Sequence, residues 1–190
     1  MLLRMESVQR ELEVVEDQNA AIQKLAEELR GQRGQRGQRG AEMTDAEREK
    51  IRQEAAAREK AVWDKLGGIL LPNQVKRLKE ISLQSQLRMG LVNALLDPQV
   101  AEDLNLTDAQ KQQLNKIQTD SREAMRQAFQ GGGRPDMEKM AAMRKENDSK
   151  AEAVLTADQK AKLEQMKGGK PFEFPAFGAR GGRRAGGGNP

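Results

Sequence analysis

The sequence predicts an all-α protein built from elongated helical hairpins. One pattern occurs four times: an apolar residue, a Gln four positions later, and apolar residues four and seven positions after the Gln. The four copies are Val14/Gln18/Ile22/Leu25, Leu70/Gln74/Leu78/Ile81, Leu106/Gln110/Leu114/Ile117 and Leu155/Gln159/Leu163/Met166. The apolar residues that follow the Gln share one face of a helix, so each copy has a stripe to bury.

Composition points to the same fold class. Hydrophobic residues make up 36% of the chain and charged residues 33%, with four Phe, one Trp and no Tyr. Such a balance is typical of amphipathic helices that bury a narrow seam. Because no run of β-branched and aromatic residues alternates with period two, no strand is predicted.

In the third and fourth copies, the leading leucine is followed by a threonine that can cap a helix. The residues are Leu106, Thr107 and Gln110 in LTDAQ, and Leu155, Thr156 and Gln159 in LTADQ. The Thr-x-x-Gln spacing is a capping box, because the Gln side chain can reach back to the backbone N–H of the cap. These residues are predicted to set helix starts and hold a hairpin. The copies around Gln18 and Gln74 lack the Thr.

Helices are also expected along the first 90 residues. A heptad-like apolar stripe predicts one unbroken helix from about Leu3 to Arg30. A capping box at Thr44 opens a charged helix, which is expected to end at Gly67. Pro72 suits the first turn of the next helix.

The remaining helices follow from caps and breakers. Asp97 followed by Pro98 predicts the start of a short helix that leads into the third motif. The helix that starts after Thr107 is expected to stop at the glycines 131–133, and Pro135 opens the return helix.

The spacing of the motifs indicates a tandem duplication. In each half, a motif helix is followed by a Gly/Arg-rich break, a second helix and a second motif. The predicted units are 1–90, with its Gly/Arg loop at 31–40, and 91–168. Residues 169–190 carry many glycines and no apolar period, so they are predicted to form a disordered tail.

The two LTxxQ copies resemble the paired motifs of the Spy and CpxP family of bacterial envelope proteins. The second unit is similar to a complete member in motif count and order, and the first unit is a degenerate version. The resemblance implies an all-helical homodimer in the periplasm or cell envelope. It also implies a chaperone-like role, because Spy holds unfolding clients without ATP, and CpxP is an inhibitor of envelope stress signalling.

Catalysis is not expected. The chain has no Cys and no His, which removes the commonest nucleophile–base pairs and most transition-metal ligands. Carboxylates alternate with Lys and Arg along the helices, as i,i+4 ion pairs require. No phosphate loop or dinucleotide fingerprint is present. The sequence therefore predicts no enzyme, no cofactor and no metal site.

Methionines form the one unusual stripe. Met137, Met140 and Met143 recur every three residues on the predicted return helix. Thioethers can bind Cu(I), but such a stripe also suits a helix core or an adaptable apolar surface. We expect core or adaptable surface, and we name these methionines as a possible client surface.

The positive charge lies outside the predicted helices. The net charge is +4, and the excess of Lys and Arg falls in the break 31–40 and in the tail. The helical remainder is nearly balanced, so nucleic acid is not the expected partner. Two alternatives to the chaperone-like function remain open: a structural protein that only self-associates, and a nucleic-acid accessory protein that acts through its Arg/Gly segments.

The N-terminal sequence does not predict a compartment by itself. The first residues, MLLRMESVQREL, do not form a signal peptide, because charges follow an apolar run of two or three residues. No stretch has the ~20 apolar residues of a membrane span. We expect either a cytoplasmic protein or an export signal upstream of Met1, and the family resemblance favours the second.

Overall fold

The computed structural model describes residues 2–33, 45–130 and 137–175. This part of the chain contains helices and no strands, which confirms the all-α prediction. After a 3-10 turn at Leu2–Arg4, the helices are α1 (Glu6–Glu11), α2 (Glu16–Arg33), α3 (Asp45–Gly67), α4 (Pro72–Met89), α5 (Leu91–Leu95), α6 (Pro98–Asp103), α7 (Asp108–Gln130), α8 (Met137–Val154) and α9 (Ala157–Met166).

The apolar stripes pack into two clusters. In the first, the N-terminal turn, α1, α2 and the end of α3 pack against α4, and Val8, Ile22 and Ile81 are fully buried. In the second, α5 to α9 pack around Leu95 and Leu114. Because burying one such side chain stabilises a fold by about 1.5–3 kcal/mol, the motif stripes supply much of each core.

Helix α4 belongs to both clusters. Leu78 and Ile81 face the first cluster, while Leu83 and Leu87 pack in the second. The helix also contacts α3 on one side and α5 and α9 on the other. The apolar clusters of the two sequence units, which are predicted to meet near residue 90, therefore both pack against this helix.

The predicted unbroken helix of the first thirty residues is wrong, because the chain turns between α1 and α2. Glu13 has a positive φ of 52°, a left-handed conformation that a right-handed helix does not contain. Leu12 is buried just before the turn, whereas Val15 after it is 60% exposed. Asn105 makes the same turn between α6 and α7, with φ 51°. Apolar residues lie on both sides of each turn, Leu12 and Val14 at the first and Leu104 and Leu106 at the second, so apolar spacing alone does not reveal it.

Other helix boundaries follow the sequence signals. Helix α3 ends at Gly67, α4 begins at Pro72, and Asp97 is the N-cap of α6. The capping box at Thr44 and the break 131–135 lie outside the described residues.

The first described residues of the predicted tail lie against the fold. Residues 168–175, here called the C-terminal strap, run from the end of α9 back across α4. Gln84 Nε2 donates to the carbonyl of Lys170 at 3.1 Å, and the backbone N–H of Phe172 donates to Gln84 Oε1 at 2.7 Å. Phe172 and Phe174 pack against the first cluster. Residues 176–190 of the predicted tail lie outside the described residues.

Charged contacts fasten the strap at both ends. Lys170 Nζ lies 2.8 Å from a carboxylate oxygen of Glu11, and this hydrogen bond, together with that from Arg77, lowers the pKa of Glu11. The guanidinium of Arg88 lies 4.9 Å from the ring centroid of Phe174, which is a cation–π contact. The strap thus ties the end of the second unit to the first.

The strap depends on a glycine at its first position. Gly168 has φ +71°, and a Cβ at this residue would run into the carboxylate of Glu80. We expect Gly168→Ala to lower the free energy of unfolding by about 1–2 kcal/mol, because the left-handed conformation and the close approach both disfavour a side chain. Urea denaturation measures the loss. Gly169→Ala is the matched control, since a Cβ there meets nothing within 4 Å. Equal stabilities of the two variants would contradict this account of the turn.

Candidate functional site

The four motif glutamines meet in two pairs. Gln110 Nε2 donates to Gln159 Oε1 at 2.7 Å, and Gln159 Nε2 donates back to Gln110 Oε1 at 3.1 Å. The corresponding distances between Gln18 and Gln74 are 2.8 and 3.2 Å. Each pair is a reciprocal amide dimer that joins two helix starts, 49 residues apart in one case and 56 in the other.

Each glutamine also donates to a backbone carbonyl beside its partner's helix. The donor–acceptor pairs are Gln110 with Val154 at 2.8 Å, Gln18 with Ile69 at 3.1 Å, Gln159 with Leu104 at 3.3 Å and Gln74 with Leu12 at 2.8 Å. In both pairs, the first glutamine uses the carbonyl five residues before the second, and the second uses the carbonyl six residues before the first. This shared register supports the proposed duplication.

The side-chain oxygens complete the network. Each Oε1 accepts the backbone N–H of the residue three positions earlier: Val15 at 3.2 Å, Leu71 at 2.9 Å, Thr107 at 3.0 Å and Thr156 at 3.0 Å. Every amide therefore uses both its donors and both its acceptor lone pairs. This matters because Gln74 is only 5% exposed, and an unsatisfied buried polar group costs about 1–3 kcal/mol.

The threonines add a second cap bond at two of the four helix starts. Thr107 Oγ1 accepts the backbone N–H of Gln110, and Thr156 Oγ1 accepts that of Gln159, both at 3.2 Å. Leu71 has nearly the same backbone as Thr156, with φ −68° and ψ 155° against −71° and 165°. Its side chain carries no oxygen and is 58% exposed. The motif glutamine alone is thus sufficient to hold the cap geometry there.

The methionine stripe lies away from these pairs, on α8. Met140 and Met143 are half-buried, and the side chain of Met137 lies outside the described residues. Neither Met140 nor Met143 lines the apolar groove between the N-terminal turn, α2, α3 and α4. The structure therefore does not bring the methionine stripe and that groove together.

An apolar groove opens between the N-terminal turn, α2, α3 and α4. Its volume is about 880 Å³. The half-buried side chains of its floor are Leu2, Met5, Leu29, Val62 and Trp63, and the charged residues at its edge are Arg4, Arg30, Arg58 and Glu59. The ion pair of Lys65 with Glu28, at 2.6 Å, joins α2 and α3 beside the groove. Sequence reasoning missed this groove, because the α3 pattern shows ion pairs and no clear apolar stripe.

A smaller cavity of about 230 Å³ lies on the other side of Trp63, between α3, α4 and α6. Glu59 and Asp97 both line it. Burial raises the pKa of Glu59 to about 7, and the negative charge of Asp97 and the hydrogen bond between the two carboxyl groups add to the effect. Glu59 is therefore the one group in the described residues whose raised pKa falls near neutrality.

The described residues contain neither a cluster of metal-ligating side chains nor a membrane-spanning helix. No three carboxylates come together as they would to hold a metal ion. None of the helices in the described ranges is long and apolar enough to cross a membrane.

Comparison with known proteins gives one match. Residues 97–167 match the profile of a family described as "LTXXQ motif family protein". This segment runs from the N-cap of α6 through α9, and it includes the Gln110–Gln159 pair and both threonine caps. Neither the curated proteins nor the solved structures give a match.

The reciprocal pair predicts that replacing one of its glutamines by glutamate strongly destabilises the fold. In Gln110→Glu, the carboxylate cannot donate to Val154 or Gln159 and faces their oxygens instead. We expect a loss of about 2–4 kcal/mol in the free energy of unfolding, measured by urea denaturation. Gln113→Glu, at an exposed position of the same helix, is the control. If both variants lost the same amount, the pair would not hold the hairpin.

Because the helix starts of the first unit lack a threonine cap, adding one is expected to stabilise the fold. Leu71→Thr supplies an oxygen on a backbone that already has cap geometry, so we expect a gain of about 0.5–1 kcal/mol. Leu71→Ala is the control, because it removes the same apolar side chain without supplying a cap. Thermal unfolding of both variants measures the difference, and a Thr variant no more stable than the Ala variant would argue against an open cap site.

Proposed function

We propose, on the premise that residues 97–167 belong to the LTXXQ motif family, that this protein is a non-enzymatic, ATP-independent binding protein of the Spy/CpxP type. It holds partly unfolded proteins on an amphipathic helical surface. The observation that carries the proposal is the groove of about 880 Å³ between α2, α3 and α4.

The groove has the chemistry that an unfolded client needs. Its apolar floor, which includes Trp63, is half-buried and not covered by another helix in the described residues. Exposed apolar surface with a charged rim is typical of sites that bind other proteins. Because the floor offers area without a deep specific pocket, it suits weak and reversible contact with many apolar segments.

The remaining features of the proposal rest on the family. Homodimerisation and a place in the periplasm or cell envelope are properties of the Spy and CpxP proteins that we extend to this chain. We also propose that no residue is catalytic and that no cofactor is required, since several of the described carboxylates pair with Lys or Arg on the same helix, as those of Glu6, Glu54, Glu146 and Glu164 do. The half-buried Met140 and Met143 remain a second candidate surface for clients.

Suppression of aggregation tests the proposal. Dithiothreitol-reduced insulin, followed by light scattering without ATP, is a suitable probe because this chain has no Cys for the reductant to affect. Ala55 lines the groove, and Ala57 is exposed on α3 but does not line the groove. Ala55→Arg puts a long charged side chain beside the apolar floor, whereas Ala57→Arg makes the same change on another face.

We expect Ala55→Arg to raise the concentration needed for half-maximal suppression about fivefold, which corresponds to ~1 kcal/mol of lost binding. Ala57→Arg should match the parent protein. A chain ending at Pro175 keeps the strap, so it should also match if function lies in the helices. Lack of suppression by every form would favour self-association, and loss of activity only on removal of 176–190 would favour the Arg/Gly segments.

A further inference from the structure

Three hydrogen bonds from α4 hold the backbone of the C-terminal strap. Gln84 Nε2 donates to the carbonyl of Lys170 at 3.1 Å, and Gln84 Oε1 accepts the backbone N–H of Phe172 at 2.7 Å. Arg77 Nη1 donates to the same carbonyl of Lys170 at 2.8 Å. Every residue has a carbonyl, and every residue except proline has an N–H, so these contacts do not depend on the strap's own sequence.

The side chains of the strap alternate between solvent and the fold. Phe172 and Phe174 are half-buried and pack against the first cluster, whereas Pro171 and Glu173 are exposed. The two rings meet edge to face, with their centroids 4.8 Å apart. Arg88 lies 4.9 Å from the ring centroid of Phe174. The face of α4 under the strap therefore takes aromatic side chains at every second position, which is the spacing of an extended chain.

The charged end of the same surface is fixed by bonds that involve no strap residue. Arg77 Nε donates to Glu11 Oε1 at 2.9 Å, and Arg77 Nη1 donates to Glu80 Oε2 at 2.8 Å. None of these three side chains is more than 19% exposed. They hold Arg77 towards the strap carbonyl and Glu11 towards Lys170 Nζ, which is 2.8 Å away. A surface organised in this way binds a chain with little loss of side-chain freedom.

The strap fills this surface incompletely. A Cβ at Gly169 would meet nothing within 4 Å. A cavity of about 330 Å³ lies beside Gly169 and Lys170, and Glu11 and Arg77 also line it. The left-handed turn at Gly168 brings the chain back from α9, and a segment of another protein needs no counterpart of that turn. A separate chain can therefore make the strap's contacts and add a side chain at the position of Gly169.

We propose that the surface formed by Glu11, Arg77, Gln84 and Arg88, here called the strap site, is a peptide-binding site whose built-in occupant is the strap. Its partner is an unpaired β-strand segment of another protein, with a basic residue followed by aromatic residues two and four positions later. Aromatic residues with period two are typical of strands that bury one face. The basic residue pairs with Glu11, as Lys170 does in the strap.

The strap site is separate from the groove. The groove uses Leu78, Ser82 and Ser85 of α4, none of which binds the strap backbone. Because the strap belongs to the same chain, it competes with a free segment at an effective concentration of about 1 mM. A segment of another protein therefore binds when it fits the site better than the strap does, or when the strap is loosened.

Weakening the strap should open the site to an added peptide. A fluorescein-labelled peptide, GKPFEFP, has the sequence of residues 169–175. We expect the full chain with Phe172→Ser and Phe174→Ser to bind it at least about tenfold more tightly than the parent protein, because the competing strap has lost its apolar anchors. Fluorescence anisotropy measures the affinity. Glu173→Ser, at an exposed strap position, is the matched control and should behave as the parent does.

Two further changes test where the peptide binds. Arg88→Glu, added to the double serine variant, removes the cation–π partner and should weaken binding about fivefold. The peptide GKPSESP, which lacks both aromatic side chains, should not bind. Equal affinity of the parent and the double serine variant for GKPFEFP would overturn the strap site, because the groove is open in both proteins. Equal affinity of the double serine variant for the two peptides would also overturn it.

Release of the strap in the otherwise native chain gives a second readout, which does not require the serine variant to fold. The chain has no native cysteine, so Glu173→Cys can carry a single nitroxide. Electron resonance should show a restricted label that becomes mobile in millimolar GKPFEFP and stays restricted in GKPSESP. A label whose mobility does not change in GKPFEFP would overturn the proposal. Neither assay contains an unfolding client, so the result is independent of the proposed function.

Discussion

The reciprocal glutamine pair is the interaction on which the rest of the structure depends. A primary amide has two donors and two acceptor lone pairs, and each motif glutamine uses all four within the fold. Because the contacts run to the partner amide, to the partner's backbone and to its own helix start, one side chain fixes the position of two chain segments. Any shift of one helix start would leave polar groups without partners at positions that are half-buried or, at Gln74, buried. The apolar stripes then pack in a register that the amides have already set.

This constraint explains why the threonines can be lost while the glutamines remain. Thr107 and Thr156 each add one bond at their own helix start, with no contact to the other motif. Their equivalents in the first unit, Val15 and Leu71, still donate their backbone N–H groups to the motif glutamines. A missing cap bond costs about 1 kcal/mol. A missing amide would break contacts at two helix starts together, so the two kinds of position tolerate change differently.

Much of the fold was predictable from local signals, and the rest depends on contacts through space. Capping boxes, Pro72 and Gly67 predicted helix ends because each acts on its own neighbours. The turn at Glu13 was missed, since apolar residues flank it on both sides and Glu is not a usual left-handed residue. The strap was missed because a Gly-rich segment shows no period, although Phe172 and Phe174 pack against the first apolar cluster. The glutamine pairs joined residues 49 and 56 positions apart, which no local pattern reveals.

The groove arises where the two units differ. When the motif glutamines are aligned, Leu29 corresponds to Ser121 and Val62 to Asn147. In the second unit, Asn147 Nδ2 donates to Ser121 Oγ at 2.8 Å, and this bond joins α7 to α8 across the hairpin. In the first unit, the corresponding Leu29 and Val62 have no polar bond to make, and both line the groove. Trp63 likewise stands where the second unit has Asp148, whose Oδ1 accepts the backbone N–H of Leu91 at 2.7 Å. The same glutamine geometry therefore supports a hairpin closed by polar bonds in one unit and an apolar groove in the other. The apolar surface on which the proposed function rests therefore lies in the unit that has diverged from the motif, and not in the one that retains it.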